Sequence, residues 1–176
     1  MSQAGSAVKK EAERLLKECR ITKGPVNVLE IAEQLGAVVS YEVFSEDLSG
    51  VLVKEKERTV IGVNSFHAKT RQRFTIAHEI GHLVLKHKGE VFVDQTVMKR
   101  DARSSRAVDI QEIAANQFAA DLLMPSDFVI AAVQRRQAKR PELSPTSLVD
   151  ELAEEFQVSS QAMEYRLTNL GMFMPR

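Results

Sequence analysis

The 176-residue chain is short of several things. It has one cysteine, Cys19, no tryptophan and only four histidines, and its 24 basic residues are balanced by 24 acidic ones. A single cysteine excludes an internal disulfide and any cysteine-rich metal cage. A net charge of zero removes the whole-molecule footprint expected of a protein that binds nucleic acid or an anionic membrane, so any charged surface is local. No stretch approaches the roughly 18 consecutive apolar residues of a membrane span. The opening MSQAGSAVKKEAERLLKECR lacks the apolar centre of a signal peptide, which predicts a cytoplasmic protein. What remains, 44% apolar and 27% charged, is the balance of a folded globular domain rather than a disordered chain.

Local patterns predict an ordered series of elements. Val8, Ala12, Leu15 and Leu16 recur at helical spacing over residues 5–19. After Pro25, Asn27 with Glu30 three positions on reads as a capping box, followed by Val28, Ile31, Ala32 and Leu35 on one face and Gly36 as the stop. From Val38 to Phe44 the period falls to two, with Val39, Tyr41 and Val43 pointing one way, and GVLVK and TVIGV then read as a hairpin across Glu55 to Arg58. Three strands therefore precede the next helix. Residues 98–107, MKRDARSSRA, are the segment least expected to be regular.

The histidines are concentrated where the chemistry is. RFTIAHEIGHLVLKH, Arg73 to His87, holds three of the four, with His78 and His82 four apart around Glu79. Residues four apart on a helix share a face, so both rings reach one ion about 2 Å from a nitrogen of each. Glu79 lies to the side of that face, badly placed to ligate but able to take a proton from an attacking water. Phe74, Ile76, Ile80, Leu83 and Val84 make the helix apolar nearly all round, so it should be buried, where unpaired His, Glu and His side chains are costly. A metal removes that cost, and Gly81 leaves room for another backbone. A second apolar segment, EIAANQFAADLLMP from Glu112 to Pro125, carries small residues that permit close packing on the histidine helix. Glu112 could then be a third ligand, with Asn116 holding a histidine ring through its other nitrogen. Asp94, Asp101 and Asp109 are the weaker alternatives to Glu112.

These three pieces in order, RFTIAHEIGH, then RDARSS, then ExxANxFAAxLLMP, resemble the ImmA/IrrE family of bacterial metallopeptidases over roughly residues 26–130. The resemblance implies an α+β, zincin-like fold in which a small, mainly antiparallel sheet packs on the HExxH helix. It implies residues 1–130 as the metallopeptidase domain and 131–176 as a helical extension packed on it. It also implies His78, His82 and Glu112 as ligands of a zinc ion, with manganese the alternative, and Glu79 as the base. The substrate it implies is a helix-turn-helix repressor, whose inactivation releases mobile-element or stress-response genes. The position two before the family's asparagine is often acidic in relatives and is Ala114 here, which leaves Glu112 the carboxylate of that turn. The contrasting reading is a non-catalytic metal-binding module of the toxin–antitoxin or regulatory kind, acting by contact alone.

Other features are read from the residues themselves. His67, His87, Tyr41, Arg71 and Tyr165 have the chemistry to stabilise an oxyanion, though a structural or solvated role is favoured for each. A peptide substrate is expected to add to a sheet edge beside the active helix. The tail, residues 148–171, has a helix-turn-helix outline, with Leu148, Leu152 and Phe156 on one helix and Ala162, Tyr165, Leu167 and Leu170 on the next. Residues 142–176 carry six acidic side chains against Arg166 and Arg176, so direct DNA binding is disfavoured and core completion or partner docking is expected instead. RRQAKR, Arg135 to Arg140, is expected to be a solvated loop.

Overall fold

The computed structural model describes residues 3–56, 58–95 and 105–172. Its elements are α1 (Gln3–Glu18), α2 (Val28–Gln34), β1 (Ala37–Glu42), β2 (Leu48–Lys54), β3 (Thr59–Asn64), α3 (Lys69–Val84), β4 (Val91–Gln95), α4 (Ser105–Leu123), α5 (Ser126–Lys139), α6 (Pro145–Phe156) and α7 (Ser160–Asn169). The strands form one sheet in the order β1-β3-β2-β4. β1 runs parallel to β3, while β2 is antiparallel to both β3 and β4, so the sheet is mainly antiparallel and the class is α+β, zincin-like, as the sequence implies.

Most predicted boundaries hold for the predicted reasons. The Glu30 N–H donates to Asn27 Oδ1 at 3.3 Å and starts α2, although Glu30 answers the side-chain amide of Asn27 rather than closing a full capping box. Gly36, at φ +74, ends the helix in the left-handed region. β2 and β3 form the expected hairpin, Lys54 opposite Thr59. β1 differs from expectation: it is an outer strand, Tyr41 is largely exposed, and Val43 lies beyond its end with 73% of its surface in solvent. β4 is an additional strand. Its two valines, Val91 and Val93, face outward, so no buried alternation marks it in the sequence.

Two helices bring the functional segments together. α3 is buried through Ile76, Ala77 and Ile80 against Leu52 and Ile61 of the sheet and Phe118 and Leu122 of α4, within one continuous core. A Cβ on Gly81 would stand 3.2 Å from the Ala115 Cα, so the two helices touch backbone to backbone where the sequence left room. Residues 98–104 of the expected irregular stretch lie outside the described residues, but Ser105 to Ala107 already belong to α4.

The tail is built from ion pairs that the sequence reading assigned elsewhere. Arg135 and Arg136 lie on α5, not in a loop, and the helix ends just before Arg140. Arg136 pairs with Glu151 at 3.2 Å and Glu155 at 2.6 Å, Arg135 pairs with Glu155 at 2.8 Å, and Arg140 with Glu151, so much of the acidic charge of α6 faces α5. Helices α6 and α7 are separated by three residues, and Tyr165 is 70% exposed while Arg166, its neighbour, is buried instead. Arg166 Nη1 meets Asp121 Oδ1 at 2.8 Å and its Nε donates to the Met124 carbonyl at 2.8 Å, which fastens α7 to the end of α4. Breaking that pair from one side strands a buried charge. Arg166→Met should lower unfolding free energy by about 3–5 kcal/mol in a urea titration, and adding Asp121→Leu should restore most of it.

Candidate metal centre

Helix α3 presents His78 and His82 on one face because they are one turn apart, and α4 crosses them with Glu112. The His78 and His82 Nε2 atoms are 3.0 Å apart. Glu112 Oε2 lies 3.1 Å from the first and Oε1 3.4 Å from the second. All the donor atoms fall within 4.8 Å of one another, the one such cluster among the described residues. Both histidines are almost wholly buried, whereas the Glu112 side chain keeps 21% of its surface, so the cluster is closed on the core side and reached past the carboxylate. Two imidazole lone pairs facing each other at 3.0 Å, with a carboxylate against both, require a cation or protons between them. The donor set, two nitrogens and one carboxylate, is one that divalent zinc accepts while leaving a fourth position open.

The ring orientations are held from behind. Asn116 Oδ1 accepts from His78 Nδ1 at 3.0 Å, one turn along α4 from Glu112, as the spacing suggested. His82 is backed by His87. Lys86, at φ 54, turns the chain in the left-handed region just past α3, and the His87 N–H closes on the His82 carbonyl at 3.1 Å. His87 Nδ1 then sits 2.9 Å from His82 Nδ1. With the His82 Nε2 lone pair turned to the cluster, its Nδ1 carries the proton and donates to His87. Phe92 of β4 covers the His82 ring at 4.5 Å between centroids, and Lys54 stands over Phe92 while donating to the His87 carbonyl at 2.9 Å.

Electrostatics divide the ionisable groups. Burial, reinforced by the charges of Asp94 and Glu112, pushes the Glu79 carboxyl up to about 8 against the opposing pull of His78. Glu79 is wholly buried, and among the described residues neither of its oxygens has a hydrogen-bond partner. Burial also disfavours charge on Glu112, yet its close contacts with His78 and His82 outweigh it and hold that carboxyl at about 2. Burial lowers His82 and takes His87 down to about 4, keeping both rings neutral. Burial opposes charge on His78 too, but its Glu112 hydrogen bond and the surrounding carboxylates raise it. The arrangement separates one carboxylate that stays charged against the histidines from one that readily holds a proton, which is the division acid–base chemistry needs.

The other sequence candidates have different employment. Tyr41 lies on β1 at the far edge of the sheet, 5.6 Å beneath the Lys69 ammonium. His67 Nε2 meets the Glu46 carbonyl at 3.3 Å, and Arg71 donates to Ser49 Oγ at 2.9 Å. Asp94 acts on Glu79 and His78 through its charge but is not part of the ligand cluster. Asp101 and the Asp109 side chain lie outside the described residues. Gly50 escaped the sequence reading. A Cβ there would collide with Thr75 Cγ2 at 2.3 Å and stand 3.7 Å from Glu79 Oε1, so β2 can lie against α3 in front of Glu79 only because this residue has no side chain.

Known proteins are similar in sequence and in fold. The chain is 34% identical over 116 residues to the radiation response metalloprotease IrrE of Deinococcus radiodurans, covering 65% of this chain and 32% of that protein. It is 32% identical over 109 residues to the protein of the same name from Deinococcus deserti, covering 57% and 38%. The chain thus spans about a third of the length of these curated relatives. A solved Mycobacterium tuberculosis transcriptional regulator shares the fold, with a TM-score of 0.62 at 19% identity over 93% of this chain and 46% of that one. The peptidase family described as the IrrE N-terminal-like domain matches residues 32–168, a span that takes in α3, α4 and nearly all of the tail, and the chain belongs to that family.

Proposed function

We propose that this protein is a zinc-dependent endopeptidase, with manganese as the alternative ion, in which His78, His82 and Glu112 hold the metal and Glu79 is the base. The observation that carries the reading is Glu79 itself. A fully buried carboxyl with both oxygens unpartnered among the described residues, beside a ligand cluster it does not join, suits proton transfer, and a purely structural metal site needs no such group. A divalent ion in the cluster supplies Lewis-acid polarisation of a peptide carbonyl and makes water a stronger acid near neutral pH. With a divalent ion in the cluster favouring its ionised form, Glu79 would accept the proton of the attacking water, and its burial would favour keeping that proton until it passes to the leaving amine. Asn116 and His87 keep the two imidazoles turned inward throughout.

The substrate backbone has a place to lie. β4 is an outer strand, and its Phe92 packs on His82, so a peptide added to β4 runs beside the cluster. The names of the Deinococcus relatives support a peptidase reading. We infer further that the substrate is a helix-turn-helix repressor, as the family resemblance implies, and that residues 131–176 serve as an extension packed on the catalytic domain 1–130 rather than as a DNA reader. No described helix is long and apolar enough to cross a membrane.

Two sets of measurements test this. The zinc-loaded protein should cut a cognate repressor at one or a few bonds, and Glu79→Gln should slow cutting by about a hundredfold to ten-thousandfold while zinc binding and fold persist. Unslowed cutting by Glu79→Gln, or binding of the repressor by the parent protein without cleavage, would favour the non-catalytic module. In metal titrations Glu112→Gln should lose most zinc affinity, whereas Asn116→Ala and His87→Ala should each weaken it by roughly tenfold to a hundredfold. Undiminished affinity in Glu112→Gln would remove that residue from the ligand set.

A further inference from the structure

Beside the cluster, on the side of Glu79, lies a cavity of about 420 Å³. Most of its lining surface is apolar, with Phe74 of α3, Met124 at the end of α4, and Val158 and Ala162 from the turn and first turn of α7, although six of the ten lining residues are polar or charged. Two further wall residues connect it to the site. Thr75 is one helical turn ahead of Glu79, and both face the bare backbone of Gly50. Asp94 sits on β4, opposite Gly50 in the register, so a peptide laid along β4 passes the cavity mouth.

We propose that this cavity is a specificity pocket for one large aliphatic or aromatic side chain of the substrate, adjacent to the bond that is cut, and that the α6–α7 turn sets its size. The proposal rests on the peptidase reading above and gives it a substrate class. The occupant follows from the lining: a wall of phenylalanine, methionine, valine and alanine accepts apolar volume, and burial of a leucine-sized side chain there displaces water from both surfaces. The polar rim carries side chains of opposite formal sign, Arg71 and Asp94, rather than charge of one sign. A lysine or glutamate side chain would gain little there. The space is larger than one such side chain needs, and it continues over Met124 and Ala162 into a second hollow of about 260 Å³ bordered by Ile113 and Tyr165, both largely exposed. An extended apolar segment therefore has room for a neighbouring residue as well.

The far wall is rigid for stated reasons. Arg73 Nε donates to the Gln157 carbonyl at 3.2 Å and its Nη2 to the Val26 carbonyl at 2.9 Å, tying the α6–α7 turn to the catalytic helix. The Arg166 contacts with Asp121 and Met124 hold α7 from the other side. The tail thus has an employment that its helix-turn-helix outline does not suggest: it completes the substrate cleft.

The test uses the full-length, zinc-loaded chain and a synthetic peptide library, with cut bonds read by mass spectrometry. One position next to the cut should favour Leu, Met or Phe over Gly, Asp and Lys by about tenfold to a hundredfold in kcat/KM. Ala162→Phe, at a half-buried helix position, should fill the pocket and move that preference to Gly and Ala, leaving other positions and zinc affinity unchanged. A charged preference there, or a profile that Ala162→Phe does not alter, overturns the pocket while leaving the peptidase reading intact. If the parent protein cuts no library peptide, the peptidase reading fails, and the pocket is judged by binding. N-acetyl-leucinamide should then shift the Val158 and Ala162 methyl resonances where N-acetylglycinamide does not, and equal or absent shifts overturn it.

Discussion

The close crossing of α3 and α4 is the constraint on which the rest depends. Gly81 lets the Ala115 backbone approach, and that contact fixes how far along α4 the carboxylate of Glu112 falls relative to His78 and His82. A side chain at position 81 would push the two backbones apart by a few tenths of an ångström, comparable with the tolerance of a metal–ligand distance, about 0.2 Å. Asn116 comes with Glu112 because it is one turn away on the same helix. The sheet, the tail and the loop after α3 then close around a geometry that these two helices have already set.

The site concentrates ionisable groups where water is nearly absent. His78, His82, Glu79, Glu112 and Asp94 act on one another, and burial weighs against charge on each of them. The fold resolves this by unequal treatment: Glu112 lies against two histidines and stays ionised, whereas Glu79 has no hydrogen-bond partner among the described residues and is pushed toward its acid form. A divalent cation held as proposed by His78, His82 and Glu112 would satisfy the first group and favour charge on the second. Function and stability are coupled here, because the unpartnered carboxyl that suits a base is also the least comfortable group in the core.

The sequence carried some of this plainly. HEIGH states both its helical face and its odd residue out, and burial of the helix follows from its apolar flanks. Glu112 and Asn116 were readable because four-residue spacing and small neighbours both point to one packed face. His87 was assigned a different role, since its true position depends on Lys86 entering the left-handed region, which a non-glycine residue does not announce. β4 was invisible because its valines face outward. Arg135 and Arg136 were misread as loop residues because charge density suggests solvent, and their acidic partners lie fifteen or more positions away on α6. Such partners become neighbours only through the tertiary fold.

The central claim is that one ion is held by two imidazoles of α3 and one carboxylate of α4. X-ray absorption at the zinc edge of the loaded, full-length protein tests it most directly, combined with the same spectrum from Glu112→Gln. The account predicts two nitrogen-bearing rings with their outer-shell imidazole scattering and at least one carboxylate oxygen, the rings remaining and the oxygen shell changing in the variant. A spectrum with a single imidazole, with sulfur from Cys19, or unchanged by Glu112→Gln would contradict it.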